Sequence, residues 1–97
     1  MSTSQADTTP TEITVRYWAG ARAAAGVAED RIGVEGPVTL AAVLRRVRAL
    51  HSDQRMAGVL EVCSVLVGDR PVATEDPERV QVRPGEGVEF LPPFAGG

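Results

Sequence analysis

Apolar and polar residues alternate from Ile13 to Trp18, the period-two pattern of a half-buried strand. Ile13, Val15 and Tyr17 share the face expected to meet the core, and Thr14, Arg16 and Trp18 share the other. Trp18 is then a large aromatic on the face that should meet water. The alanine-rich run 19–25 favours a helical turn or two, with Gly26 placed to stop it. Asp30 to Val34 reads as a short second strand that ends at Gly36-Pro37. The clearest helix spans Leu40 to Leu50 behind a Thr39 N-cap. Leu40, Val43, Leu44, Val47 and Leu50 follow the spacing of one apolar helix face, with Arg45, Arg46 and Arg48 largely off it. A second short helix is expected over Met56–Leu60. Strands follow at Ser64–Val67, Val80–Val82 and Val88–Leu91, with turns at Gly68-Asp69 and Pro84–Gly87. One main helix among several strands predicts an α+β domain, a mixed sheet of about four to five strands packed on that helix.

The 97 residues bound the chain to one domain with a modest core. A net charge of −3 argues against nucleic acid as the main partner, which wants clustered positive charge. All ten basic residues are arginines, so no side chain here can form a Schiff base or accept an isopeptide bond. The single cysteine, Cys63, cannot form an internal disulfide and is expected in the core as an inert thiol. His51 stands alone at the end of the main helix, where a cation suits the dipole; one histidine is not a metal site. The first residues lack a basic start and an apolar run, and no stretch approaches the ~18 apolar residues of a membrane span, so a cytoplasmic protein with no membrane partner is expected.

The chemistry-bearing feature is the end of the sequence, Phe90-Leu91-Pro92-Pro93-Phe94-Ala95-Gly96-Gly97. Two prolines end the last strand and stiffen its exit. The six residues after Leu91 span at most ~20 Å when extended, enough to enter another protein's active site. Gly96 and Gly97 carry no side chains and fit a narrow channel. The Gly97 carboxylate is then the reactive group, and as a poor electrophile it needs conversion to a mixed anhydride such as an acyl-adenylate. A sulfur nucleophile could displace AMP and leave a thiocarboxylate. No phosphate-binding loop, dinucleotide loop or paired metal-ligand motif occurs in the sequence, as expected of a carrier whose catalytic residues belong to another protein and which binds no cofactor itself.

Three stretches together, Val15–Arg22, the Leu66–Val72 hairpin and Pro84–Gly97, resemble the MoaD/ThiS family of sulfur carriers, and the resemblance covers residues 12–97. It implies a β-grasp, ubiquitin-like domain over 12–91 followed by a flexible diglycine tail over 92–97, while the polar residues 1–11, with their Ser, Thr, Asp and Pro, read by composition as a disordered leader. It also implies a ThiF/MoeB-like activating enzyme that uses ATP to adenylate Gly97, and then a thiocarboxylate. In the MoaD branch the loaded tail enters the large subunit of molybdopterin synthase and gives sulfur to a pyranopterin precursor. The family's apolar partner-facing surface maps here to Trp18, Pro71, Leu91 and Phe94. Ala95 stands where Ser or Thr is frequent, and Phe94 is bulkier than the usual Val.

Other carrier roles share this tail chemistry: delivery of sulfide for cysteine, thiamine or another thio-cofactor. A different class is a ubiquitin-like modifier, whose Gly97 would be joined to a lysine of another protein. A passive binding module would keep its function after loss of Gly97.

Overall fold

A computed structural model describes residues 11–72 and 74–93. Residues 1–10, most of the expected leader, lie outside that range, as do Phe94, Ala95, Gly96 and Gly97. The elements are β1 (Glu12–Tyr17), α1 (Ala19–Ala25), β2 (Glu29–Gly33), β3 (Val38–Thr39), α2 (Leu40–Leu50), α3 (Gln54–Val62), β4 (Ser64–Val67), β5 (Arg70–Pro71), β6 (Gln81–Val82) and β7 (Gly87–Leu91).

Five strands form a mixed sheet in the order β2-β1-β7-β4-β5. Its central pair, β1 and β7, is parallel, and the other pairs are antiparallel. The first and last strands of the domain thus lie side by side and point the same way. This brings the C-terminal end of β7 next to Trp18, the residue that follows β1. Outside the main sheet, β3 and β6 make a two-residue antiparallel ladder, Val38 with Val82 and Thr39 with Gln81.

The inward alternation holds strand by strand. Ile13, Val15 and Tyr17 of β1, Ile32 of β2, Val65 and Val67 of β4, and Val88 and Phe90 of β7 are all buried. Against them pack Ala21 of α1, Leu40, Val43 and Val47 of α2, and Met56 and Leu60 of α3. The helices therefore cover one face of the sheet. The main helix begins where its free N–H groups find acceptors. Leu40 donates to the Val80 carbonyl at 2.8 Å, Ala41 to that of Pro77 at 3.0 Å, and Ala42 to Thr39 Oγ1 at 3.1 Å. Leu50, expected on the buried face, is 55% exposed. It is the last residue of α2, where the apolar stripe runs past the sheet it covers. The first helix stops as expected at Gly26, which takes a left-handed φ of 79° and donates to the Arg22 carbonyl.

One polar cluster ties the core together. The Tyr17 hydroxyl donates to Asp30 Oδ2 at 2.8 Å, and His51 Nε2 lies 2.5 Å from the same oxygen. A carboxylate only accepts, so the His51 ring presents an N–H there. The cluster joins β1, β2 and the C-cap of α2. Tyr17 also meets His51 edge-on at 5.5 Å between centroids and stacks on Phe90 at 6.0 Å. Burial, followed by the bond to Asp30, pushes the Tyr17 phenol well above its usual range.

Candidate functional site

The sheet face turned away from the helices holds Trp18, Pro71 and Leu91, three of the residues expected to face a partner. Trp18 is in extended conformation at the end of β1, and the chain then turns sharply through Ala19, whose φ is 49°. The turn is closed by the Trp18 carbonyl, which accepts from Ala21 at 2.9 Å and from Arg22 at 3.3 Å. The Trp18 N–H continues the β1–β7 ladder by donating to the Phe90 carbonyl at 3.1 Å. One step past the Tyr17–Phe90 pair, Trp18 thus comes abreast of Leu91. Its side chain stays outside the core at 47% exposure, and Nε1 donates to Glu89 Oε1 at 2.9 Å.

Pro71 reaches the same face by another route. Gly68, with a φ of 61°, turns β4 back as β5. Register then aligns Pro71 with Leu66, Leu66 with Glu89, and Glu89 with Arg16. A transverse row Pro71–Leu66–Glu89–Arg16 crosses the open face, with Leu91 and Trp18 beside it. Leu66 was not among the expected partner-facing residues, yet it bridges Pro71 to the others. The alternation that buries Val65 and Val67 already turns Leu66 outward, and the register supplies its neighbours. Beyond Arg16 the face becomes charged. Arg16 Nε lies 3.7 Å from Glu29 and Arg31 Nε lies 3.5 Å from the same carboxylate, all on exposed or half-exposed side chains.

The chain leaves this face through Pro92 and Pro93, directly after Leu91. Phe94, Gly96 and Gly97, expected to serve as a partner contact and as the reactive end, lie outside the described residues. Of the expected set, the structure places Trp18 and Leu91 next to each other at the exit and Pro71 two strands away on the same surface.

Cys63 is buried between α3 and β4, and burial pushes its thiol up to about 11. It is therefore almost wholly a thiol at neutral pH and a poor nucleophile. His51 is engaged with Asp30, on the helix-covered side of the sheet. Among the described residues, no group of three His, Cys, Asp or Glu side chains lies together as metal ligands would, and no helix is long and apolar enough to cross a membrane.

Comparison with known proteins agrees with this architecture. The ThiS family model matches residues 15–97. No curated protein matches. Among solved structures, the Haloferax volcanii HVO 2177 protein is 28% identical, with a TM-score of 0.70 over 90% of this chain and 87% of its own. The small archaeal modifier protein SAMP1 of Haloferax volcanii is 19% identical, with a TM-score of 0.72 over 89% of this chain and 99% of its own. Subunit 1 or 2 in the protein–protein complex of the molybdopterin-converting factor from Helicobacter pylori is 20% identical, with a TM-score of 0.59 over 89% of this chain and 99% of its own. The family match runs through both central strands and the exit to the diglycine, and the fold is the β-grasp: the chain belongs to the ThiS family.

Proposed function

We propose that this protein is a sulfur carrier whose Gly97 carboxylate is activated by a ThiF/MoeB-like enzyme and loaded as a thiocarboxylate. The observation that carries the reading is the placement of an apolar face, Trp18–Leu66–Leu91–Pro71, at the point where the segment ending in Gly96-Gly97 leaves the sheet. A partner that docks on this face receives the tail in the same event. Docking fixes the strand exit, and the two prolines limit the angles through which the tail can swing, so less freedom is lost when it threads a channel.

The chemistry balances without a catalytic group from this chain. The Gly97 carboxylate attacks the α-phosphorus of ATP and expels pyrophosphate, giving an acyl-adenylate. Sulfide then attacks the acyl carbon and AMP leaves with the bonding electron pair, so that one C–O bond is exchanged for one C–S bond. This chain binds no cofactor of its own; ATP belongs to the activating enzyme. The destination we favour is molybdopterin, with the large subunit of molybdopterin synthase as acceptor and the cytoplasm as the setting. This is supported by the family match and by the likeness to a chain that forms a two-subunit molybdopterin-converting complex.

The likeness to SAMP1 favours a second reading, a ubiquitin-like modifier that uses the same activated Gly97. Its acceptor lysine would lie on another protein, since this sequence has none. Both readings require adenylation, so the deciding test is ATP–pyrophosphate exchange by the activating enzyme in the presence of this chain. Exchange is expected with the wild type and should be lost when Gly97 is deleted. Exchange that survives deletion of Gly97 overturns the carrier and modifier readings together. Whether the activated tail then appears as a thiocarboxylate or as an addition to other proteins separates the two.

A further inference from the structure

Glu89 is the carboxylate set among the apolar side chains of the open face. Its neighbour on β4 is Leu66, Leu91 is two residues along its own strand, and Trp18 Nε1 donates to its Oε1 at 2.9 Å. Glu89, Leu66 and Leu91 are each half-buried in the free protein. Its neighbour on β1 is Arg16, but that guanidinium faces Glu29, 3.7 Å away, and Arg31 crowds the same Glu29 at 3.5 Å. Among the described residues no cation lies within ion-pair distance of Glu89.

A carboxylate offers about four lone-pair sites, and one indole N–H fills one of them. Water serves the others while the face is open. A partner that covers Trp18, Leu66 and Leu91 removes that water, and a desolvated carboxylate with no counter-charge opposes the association. Resting on the carrier reading above, we propose that the activating enzyme places a basic side chain against Glu89, and that Glu89 thereby selects partners by charge on an otherwise apolar surface. An arginine suits the place better than a lysine. Its planar fork can bond the free Oε2 edge and lie along the indole while Trp18 keeps Oε1. Glu89 is a specificity residue here and touches none of the reacting atoms.

The test uses the full-length chain and its ThiF/MoeB-like activating enzyme, with Kd measured by calorimetry at two salt concentrations. Glu89→Gln keeps the size of the side chain and an acceptor for Trp18 and removes only the charge. It should raise Kd by at least about tenfold and flatten the salt dependence, while the thermal midpoint stays at the wild-type value. Glu89→Arg should weaken binding further. Binding of Glu89→Gln or Glu89→Leu that equals or exceeds wild type overturns the inference, because it shows that the covered carboxylate has no partner. If the wild type supports ATP–pyrophosphate exchange and Glu89→Gln binds normally, this inference alone fails. If the wild type supports no exchange, the carrier reading fails and takes the inference with it.

Discussion

Replacing Asp30 by alanine should cost more than its half-buried setting on β2 suggests. Its Oδ2 accepts from the Tyr17 hydroxyl at 2.8 Å and from His51 Nε2 at 2.5 Å, with Tyr17 only 2% exposed. Hydrogen bonds to a charged group contribute about 1.5–3 kcal/mol, and stranding a buried hydroxyl costs about 1–3 kcal/mol. For Tyr17 the two figures overlap, since they describe the same lost bond; with the His51 bond lost as well, Asp30→Ala is expected to destabilise by ~2–3 kcal/mol. In a domain of this size that lowers the thermal midpoint by roughly 8–24 °C. Tyr17→Phe removes the donor and leaves Asp30 bonded to His51, so it should cost only ~1 kcal/mol. The double variant strands no hydroxyl. It should therefore be no less stable than Asp30→Ala, with a coupling of ~1 kcal/mol between the two sites. Denaturant titration of the four proteins measures the cycle. An Asp30→Ala variant within about 0.5 kcal/mol of wild type, or sites whose effects simply add, would refute the assigned geometry.

Three further outcomes follow from the same structure. Trp18→Ala, at a half-exposed position, should weaken binding to the activating enzyme by roughly 10- to 100-fold with little change in folding stability; surface plasmon resonance beside a melting curve checks both. Phe90→Ala should destabilise by ~3–5 kcal/mol, since the ring is fully buried and stacked on Tyr17, and a calorimetric scan should show most of the native transition lost. Cys63 should react with a thiol reagent far more slowly at neutral pH than a free cysteine. Because its folded value of about 11 lies above the ordinary 9.0, the unfolded chain loses that proton first as pH rises. The thiol's contribution to stability is therefore complete below pH 9.0 and is lost on the way up to about 11. Urea titrations of wild type and Cys63→Ala between those pH values should converge, and parallel curves would contradict the burial.

The legible part of the molecule was written in short-range periods. Alternation along β1 placed Ile13, Val15 and Tyr17 inward and left Trp18 outside, and the structure agrees at all four. Gly26 and Thr39 marked helix ends by local chemistry that needs no partner. What sequence could not supply was register. Leu66 and Glu89 become neighbours only because β4 pairs with β7, and Glu89 meets Trp18 across 71 positions of chain. The Tyr17–Asp30–His51 cluster and the β3–β6 ladder were hidden for the same reason: each joins residues that no local period relates. Leu50 shows the opposite limit, a helical period continued one step past the surface that gives it meaning.

The central claim concerns the chemical state of the last residue, and mass analysis of the tail addresses it most directly. The chain is purified from its native host, and its C-terminal peptide is fragmented. The account predicts a fraction in which one oxygen of the Gly97 carboxyl is replaced by sulfur, with the increment confined to that residue and absent once the activating enzyme is removed. A Gly97 that is always an ordinary carboxylate while the host's pathway runs at full rate, or sulfur found on Cys63 in its place, would contradict it.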